Sequence, residues 1–120
     1  MYRAIDRILI DRDTIAERVE QLGTHLVADL AAVADRGRLM VVPVMTGSLF
    51  FTADLVRHLP MAFRIQPVTM SSYPGASTTS QGIKEMSPLP EGIEGMTVLV
   101  VDDILDSGRT LEHLRVAMFE

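Results

Sequence analysis

The 120-residue chain has no cysteine, so it can form neither a disulfide framework nor a thiolate metal site, and cysteine use leaves its compartment open. An excess of positive charge is also missing. With 11 basic and 16 acidic residues the formal net charge is -5, which argues against general affinity for nucleic acid or an anionic membrane, although a phosphate pocket could still be locally basic. No run reaches the roughly 18 apolar residues of a membrane span. The opening residues Met1-Tyr2-Arg3-Ala4-Ile5-Asp6 lack the apolar core of a signal peptide. These absences predict a cytoplasmic protein with neither a nucleic-acid nor a membrane partner. Internal repeats, low-complexity tracts and interdomain linkers are absent as well. His25, His58 and His113 fall in helical stretches without metal-ligand spacing, and no chemistry is assigned to them.

What is present is apolar sequence, 48% of the chain, enough for one core and too little chain for two. Residues 1–120 are therefore read as a single domain. Ile15, Val19, Leu22, Leu26, Leu30 and Val33 recur at three- and four-residue steps and line one face of a long helix. Thr14 with Glu17 has the form of a capping box at its start, and Gly37 suits a left-handed cap at its end. Leu39 to Val44 reads as a short buried strand. Gly47-Ser48 opens a second helix, expected from Ser48 to Leu59 and stopped by Pro60. Phe63 to Met70 reads as extended, with Pro67 unable to donate to a ladder. Ser, Thr, Gly and Pro then dominate residues 71–95, which predicts one long flexible loop, either a solvated linker or a functional segment. Thr97 to Val101 is the last strand, and a helix follows from near Thr110. Helices alternating with buried strands predict an α/β fold with a parallel sheet and sites at the strands' carboxyl ends.

The run Val98-Leu99-Val100-Val101-Asp102-Asp103-Ile104-Leu105-Asp106-Ser107-Gly108-Arg109-Thr110-Leu111 carries the most information. Four apolar residues form a strand buried on both faces and deliver three carboxylates and a small-residue turn to one point. Residues 107–110 combine two hydroxyls, a glycine and a cation ahead of a helix, so backbone N–H groups can converge on a phosphate. Asp102 and Asp103, acceptors only when ionised, suit neutral sugar hydroxyls. This is the layout of a sugar-phosphate site. The plainer reading is a buried strand ending in an acidic turn, with Asp106 capping that turn.

The run resembles the phosphoribosyl-pyrophosphate (PRPP) signature of the type I phosphoribosyltransferases, in which apolar residues precede two acids, two apolar residues, Asp, Ser or Thr, Gly and Thr. Two further stretches resemble the hypoxanthine and hypoxanthine-guanine members. Thr46-Gly47 with Phe51-Thr52-Ala53-Asp54-Leu55 is similar to their pyrophosphate loop and the helix after it, although many members have Lys where this chain has Thr46. A glycine at such a turn can also serve only to reverse the chain. In that family the loop can hold a cis peptide between nonproline residues. Ser71-Ser72-Tyr73, followed by Ser77-Thr78-Thr79, Gly82 and Lys84, resembles the lid that closes over the site, with Ser72 and Tyr73 its most regular pair.

The resemblance implies a Rossmann-like core and a glycosyltransferase of purine salvage. It would convert hypoxanthine or guanine and PRPP into IMP or GMP and pyrophosphate. It implies Asp106 as the base taking the purine N7 proton, and Asp102 and Asp103 as ribose-binding acids. Asp106, Ser107, Gly108, Arg109 and Thr110 would hold the 5′-phosphate, and Thr46 and Gly47 the pyrophosphate. Mg2+ would be held through PRPP rather than directly by protein side chains. Lys84 and Arg109 could approach phosphate, and their plainer reading is as solvated charges. Relatives continue through further strands to a Lys and an aromatic that hold the purine and an Asp for a second magnesium. The fold is accordingly expected to be C-terminally incomplete, with the chain truncated or completed by association as a dimer or tetramer. The alternative function is a PRPP-binding or oligomerising module without transferase activity. A related RNA-binding regulator of pyrimidine operons is a third option, opposed by the acidic balance and the Ser-Tyr loop.

Overall fold

The computed structural model describes residues 5–72 and 83–119. Helix α1 spans Arg12–Ala34, starting earlier than the Thr14–Glu17 pattern suggested. The cap is Asp11, whose carboxylate accepts from the Thr14 N–H at 2.8 Å, and this hydrogen bond holds its pKa below the ordinary value. An acid nearer the chain start thus outcompetes the capping box. Gly37 takes a left-handed φ of 67° as expected, just beyond the helix.

Strand β1, Leu39–Met45, is buried along nearly its whole length and is the centre of the sheet. Helix α2, Leu49–Val56, ends before Leu59, shorter than Pro60 alone would require. The stretch expected as one strand is two, β2 at Arg64–Ile65 and β3 at Val68–Ser72, and both run parallel to β1. Their registers, Val41↔Ile65 and Val44↔Val68, continue one another, so they occupy the same edge of β1. The interruption has its cause in β1. Gln66 N–H donates to the Val41 carbonyl at 2.9 Å, so alternate β1 residues 41, 43 and 45 turn their backbone groups to this edge. The middle one is Pro43, which has no N–H to give, and the ladder lapses opposite it. Pro67, suspected from sequence, faces its missing donor away from β1.

Strand β5, Thr97–Val101, lies parallel on the other edge of β1, from Leu39↔Thr97 to Pro43↔Val101. The loop expected over residues 71–95 is only partly a loop. Ser71 and Ser72 end β3, and Ile83–Met86 forms β4, antiparallel to it. Polar composition hides such an edge strand because it needs only one apolar face. The hairpin's base is held both ways: Thr69 N–H donates to Ser87 Oγ and Ser87 N–H donates to the Thr69 carbonyl, each at 2.9 Å.

Helix α3, Arg109–Phe119, covers one face of the sheet, where Leu114 and Met118 pack with Met40, Val42, Val44 and Val68. Helices α1 and α2 cover the other, through Val19 and Leu55 against Val41 and Val101. Because strand side chains alternate, β1 supplies both cores at once, which explains its unbroken apolar composition. The α/β architecture with a parallel core flanked by helices is as the alternation of elements predicted. Among the described residues no helix is long and apolar enough to cross a membrane.

Candidate active site

Parallel strands end on the same side, so the carboxyl ends of β1 and β5 bring two loops together, beside the end of β3. After β5 the chain turns through Asp102–Gly108 into α3. Gly108 adopts φ 82°, a left-handed conformation that a side chain would strain, and Ser107 Oγ accepts from the Arg109 N–H at 3.3 Å. The first helical bond after this turn runs from Glu112 N–H to the Gly108 carbonyl at 2.9 Å. The N–H groups of Thr110 and Leu111 therefore precede the helix's own ladder and find no acceptor among the described residues.

Asp102 to Leu111 line a cavity of about 290 Å³, closed on its sheet side by Val44 and Met70. Its lining includes Asp106, Ser107, Gly108, Arg109 and Thr110 together with the acid pair. Val44 and Met70 were not picked out from sequence. Their signal is positional, since each lies near the carboxyl end of a strand parallel to β5. Within the acid pair, Asp103 N–H donates to Asp102 Oδ1 at 2.8 Å. Burial pushes the Asp102 carboxyl above its ordinary pKa and the neighbouring Asp103 charge adds to this, while the Asp103 N–H opposes both. Ile104 and Leu105 stand 70% and 71% exposed beside these acids.

The second loop follows β1. The Met45–Thr46 peptide is cis, in the loop and between residue types that the family resemblance anticipated. Ser48 is fully buried beneath this turn, where its hydroxyl donates to the Val44 carbonyl at 2.7 Å and lies 3.4 Å from the Thr52 hydroxyl. Thr46 and Gly47 are exposed above it. The two loops touch. A side chain starting at Gly47 would lie 2.5 Å from Asp103 Oδ2 and 2.9 Å from its Cγ, so any larger residue here would have to displace the carboxylate. Of the third constellation, Ser72 closes β3, whereas Tyr73, Ser77, Thr78, Thr79 and Gly82 lie outside the described residues, and Lys84 is in β4.

A carboxylate pair, a third acid and an open helix start thus surround one cavity at the carboxyl end of a parallel sheet, next to a glycine turn on the adjacent strand. The phosphoribosyl transferase domain family matches residues 11–117, and the chain belongs to that family. More particularly, it is 34% identical over 111 residues to the hypoxanthine-guanine phosphoribosyltransferase of Streptococcus agalactiae and 40% identical over 111 residues to that of Dictyostelium discoideum. These alignments take in 92% and 89% of this chain, which spans 59% of the length of either relative. Among solved structures, Trypanosoma cruzi hypoxanthine phosphoribosyltransferase superposes with a TM-score of 0.84 at 29% identity, covering 99% of this chain and 64% of that one. The same enzyme in complex with its product IMP superposes with a TM-score of 0.80, also at 29% identity, covering 99% of this chain and 66% of that one.

Proposed function

We propose that this chain carries the phosphoribosyl-binding and catalytic half of a purine phosphoribosyltransferase of the hypoxanthine-guanine type. The reaction joins N9 of hypoxanthine or guanine to C1 of the ribose of PRPP and releases pyrophosphate. The observation that carries this reading is the convergence of Asp102, Asp103, Asp106 and the start of α3 on one cavity, with Gly47 in contact with Asp103. Ser107 to Thr110 present hydroxyls and helix-start N–H groups to the 5′-phosphate, which neutral backbone dipoles bind without a buried cation. Asp102 and Asp103 accept from the ribose hydroxyls. Asp106 takes the proton leaving N7, and Thr46-Gly47 holds the pyrophosphate through backbone groups. Ser72 and Tyr73, the latter outside the described residues, are proposed as part of a lid that excludes water from the ribosyl centre.

Magnesium would be held through the pyrophosphate and ribose hydroxyls of PRPP rather than directly by the acid pair, since two carboxylates are too few to complete its coordination. When bound in this way, the ion would supply charge neutralisation at the departing pyrophosphate. Assembly into a dimer or tetramer belongs to the same proposal, because Phe50, 81% exposed, leaves apolar surface that association would bury.

A second reading, PRPP binding without transfer, is favoured by the described residues offering ribose and phosphate contacts while the apolar part of the cavity is only Val44, Met70, Ile104, Leu105 and Leu111, with no aromatic residue among them to stack on a base. Calorimetry with PRPP and magnesium, paired with an assay for IMP or GMP formation, tests both. Nucleotide formation supports the transferase. Binding without product supports the second reading, and absence of binding refutes both.

A further inference from the structure

The contact between Gly47 and Asp103 joins two loops that are far apart in sequence and that the proposed function assigns to different halves of one substrate. The whole carboxylate is involved. Oδ2, Cγ and Oδ1 of Asp103 lie 2.5, 2.9 and 3.2 Å from the point where a residue-47 side chain would begin. The missing Cβ is thus the space that Asp103 fills. Each partner's backbone is anchored within its own loop. On one side, the Thr46-Gly47 turn is anchored from below by buried Ser48, bonded to Val44. On the other, the Asp103 backbone is tied to Asp102 Oδ1.

We propose that Asp103 is a positioning residue for the pyrophosphate turn as well as a ribose-binding acid, so that Gly47 and Asp103 form a steric latch coupling the two half-sites. This rests on the phosphoribosyltransferase reading. Two consequences distinguish a latch from two independent loops. A change at residue 47 alters binding of a ligand that touches only the other loop, and binding at one half-site alters affinity at the other by a reciprocal factor. The displaced group is the end of a short side chain rather than backbone, so Gly47→Ala leaves the fold intact while moving the carboxylate.

The test is a double-mutant cycle read by calorimetry with ribose 5-phosphate and magnesium pyrophosphate as separate probes, on the wild type, Gly47→Ala, Asp103→Ala and the double variant, each checked for native circular dichroism. Gly47→Ala is expected to weaken ribose 5-phosphate binding by about tenfold, within the usual range of coupling between residues in contact. Asp103→Ala opens the space, so adding Gly47→Ala to it should change neither affinity further. Asp103→Asn, which keeps the side chain's shape, should retain the sensitivity to Gly47→Ala. Additive effects, or an unchanged ribose 5-phosphate affinity in Gly47→Ala, overturn the latch. A wild type that binds neither probe overturns the proposed function and the latch together, whereas a wild type that binds both with additive variants overturns the latch alone.

Discussion

Leu114→Ala is the substitution whose cost follows most directly from the packing. Leu114 is fully buried and belongs to the cluster of Met40, Val42, Val44, Val68 and Met118, so it is the main tie between α3 and the sheet. Truncation removes three carbons, and at about 0.8 kcal/mol per buried methylene the transfer loss is roughly 2.4 kcal/mol. Relaxation around a central position between helix and strand is incomplete, and the residual cavity brings the total to about 3 kcal/mol. Against the roughly 6 to 18 kcal/mol available to a domain of this length, that is a large fraction. Urea unfolding followed by circular dichroism should show the midpoint fall with an unchanged slope, and the melting temperature should drop by roughly 10 °C. Val116→Ala on the same helix, 39% exposed, is the control and should stay within about 0.5 kcal/mol. A Leu114→Ala loss below about 1 kcal/mol would refute the placement of α3 on this face. Because the same helix begins at the Ser107–Thr110 turn, ribose 5-phosphate affinity should weaken in parallel.

Asp106→Asn should lower nucleotide formation by roughly 10²- to 10⁴-fold with little change in PRPP binding, and wild-type turnover in that variant would remove Asp106 from the base role. Asp102 has a raised folded-state pKa, so the folded chain binds its proton more tightly than the unfolded chain, and ionising it destabilises the fold as pH rises from the ordinary carboxylate value through the raised one. Asp102→Asn should therefore raise the melting temperature at neutral pH and flatten its acid-side pH dependence, while weakening ribose binding; a melting temperature that falls contradicts the burial argument. Gly23→Ala tests the packing of α1 against the turn that follows α2, where a new Cβ would lie 2.5 Å from His58 Cβ. Helix propensity favours alanine by about 1 kcal/mol, overpacking opposes it by roughly 1 to 3 kcal/mol, and a net destabilisation of about 1 kcal/mol is expected in thermal unfolding. A stabilised variant would show that α1 and this turn are farther apart.

Much of the site is local in origin and so can be read directly from the chain. Asp102 to Thr110 are contiguous, and their chemistry follows from a buried strand delivering them to a turn before a helix. The misreadings share a different cause. The Thr14 box yielded to Asp11 because several oxygens near a helix start compete for the same N–H groups. The break between β2 and β3 belonged to Pro43, a residue on the neighbouring strand, and strand β4 was concealed in polar sequence because an edge strand is specified by its partner as much as by its own composition.

The sequence by itself determined the alternation of helix and buried strand, the acid-rich turn and the small-residue helix start, since periodicity and local hydrogen-bonding capacity act over a few residues. Only the tertiary structure decided which loops meet. That Val44 and Met70 close the cavity, that α3 is held by Leu114, and that Gly47 yields its side-chain space to Asp103 all depend on strand order and register. Those are settled by burying both faces of β1 at once, a condition no single segment can express alone.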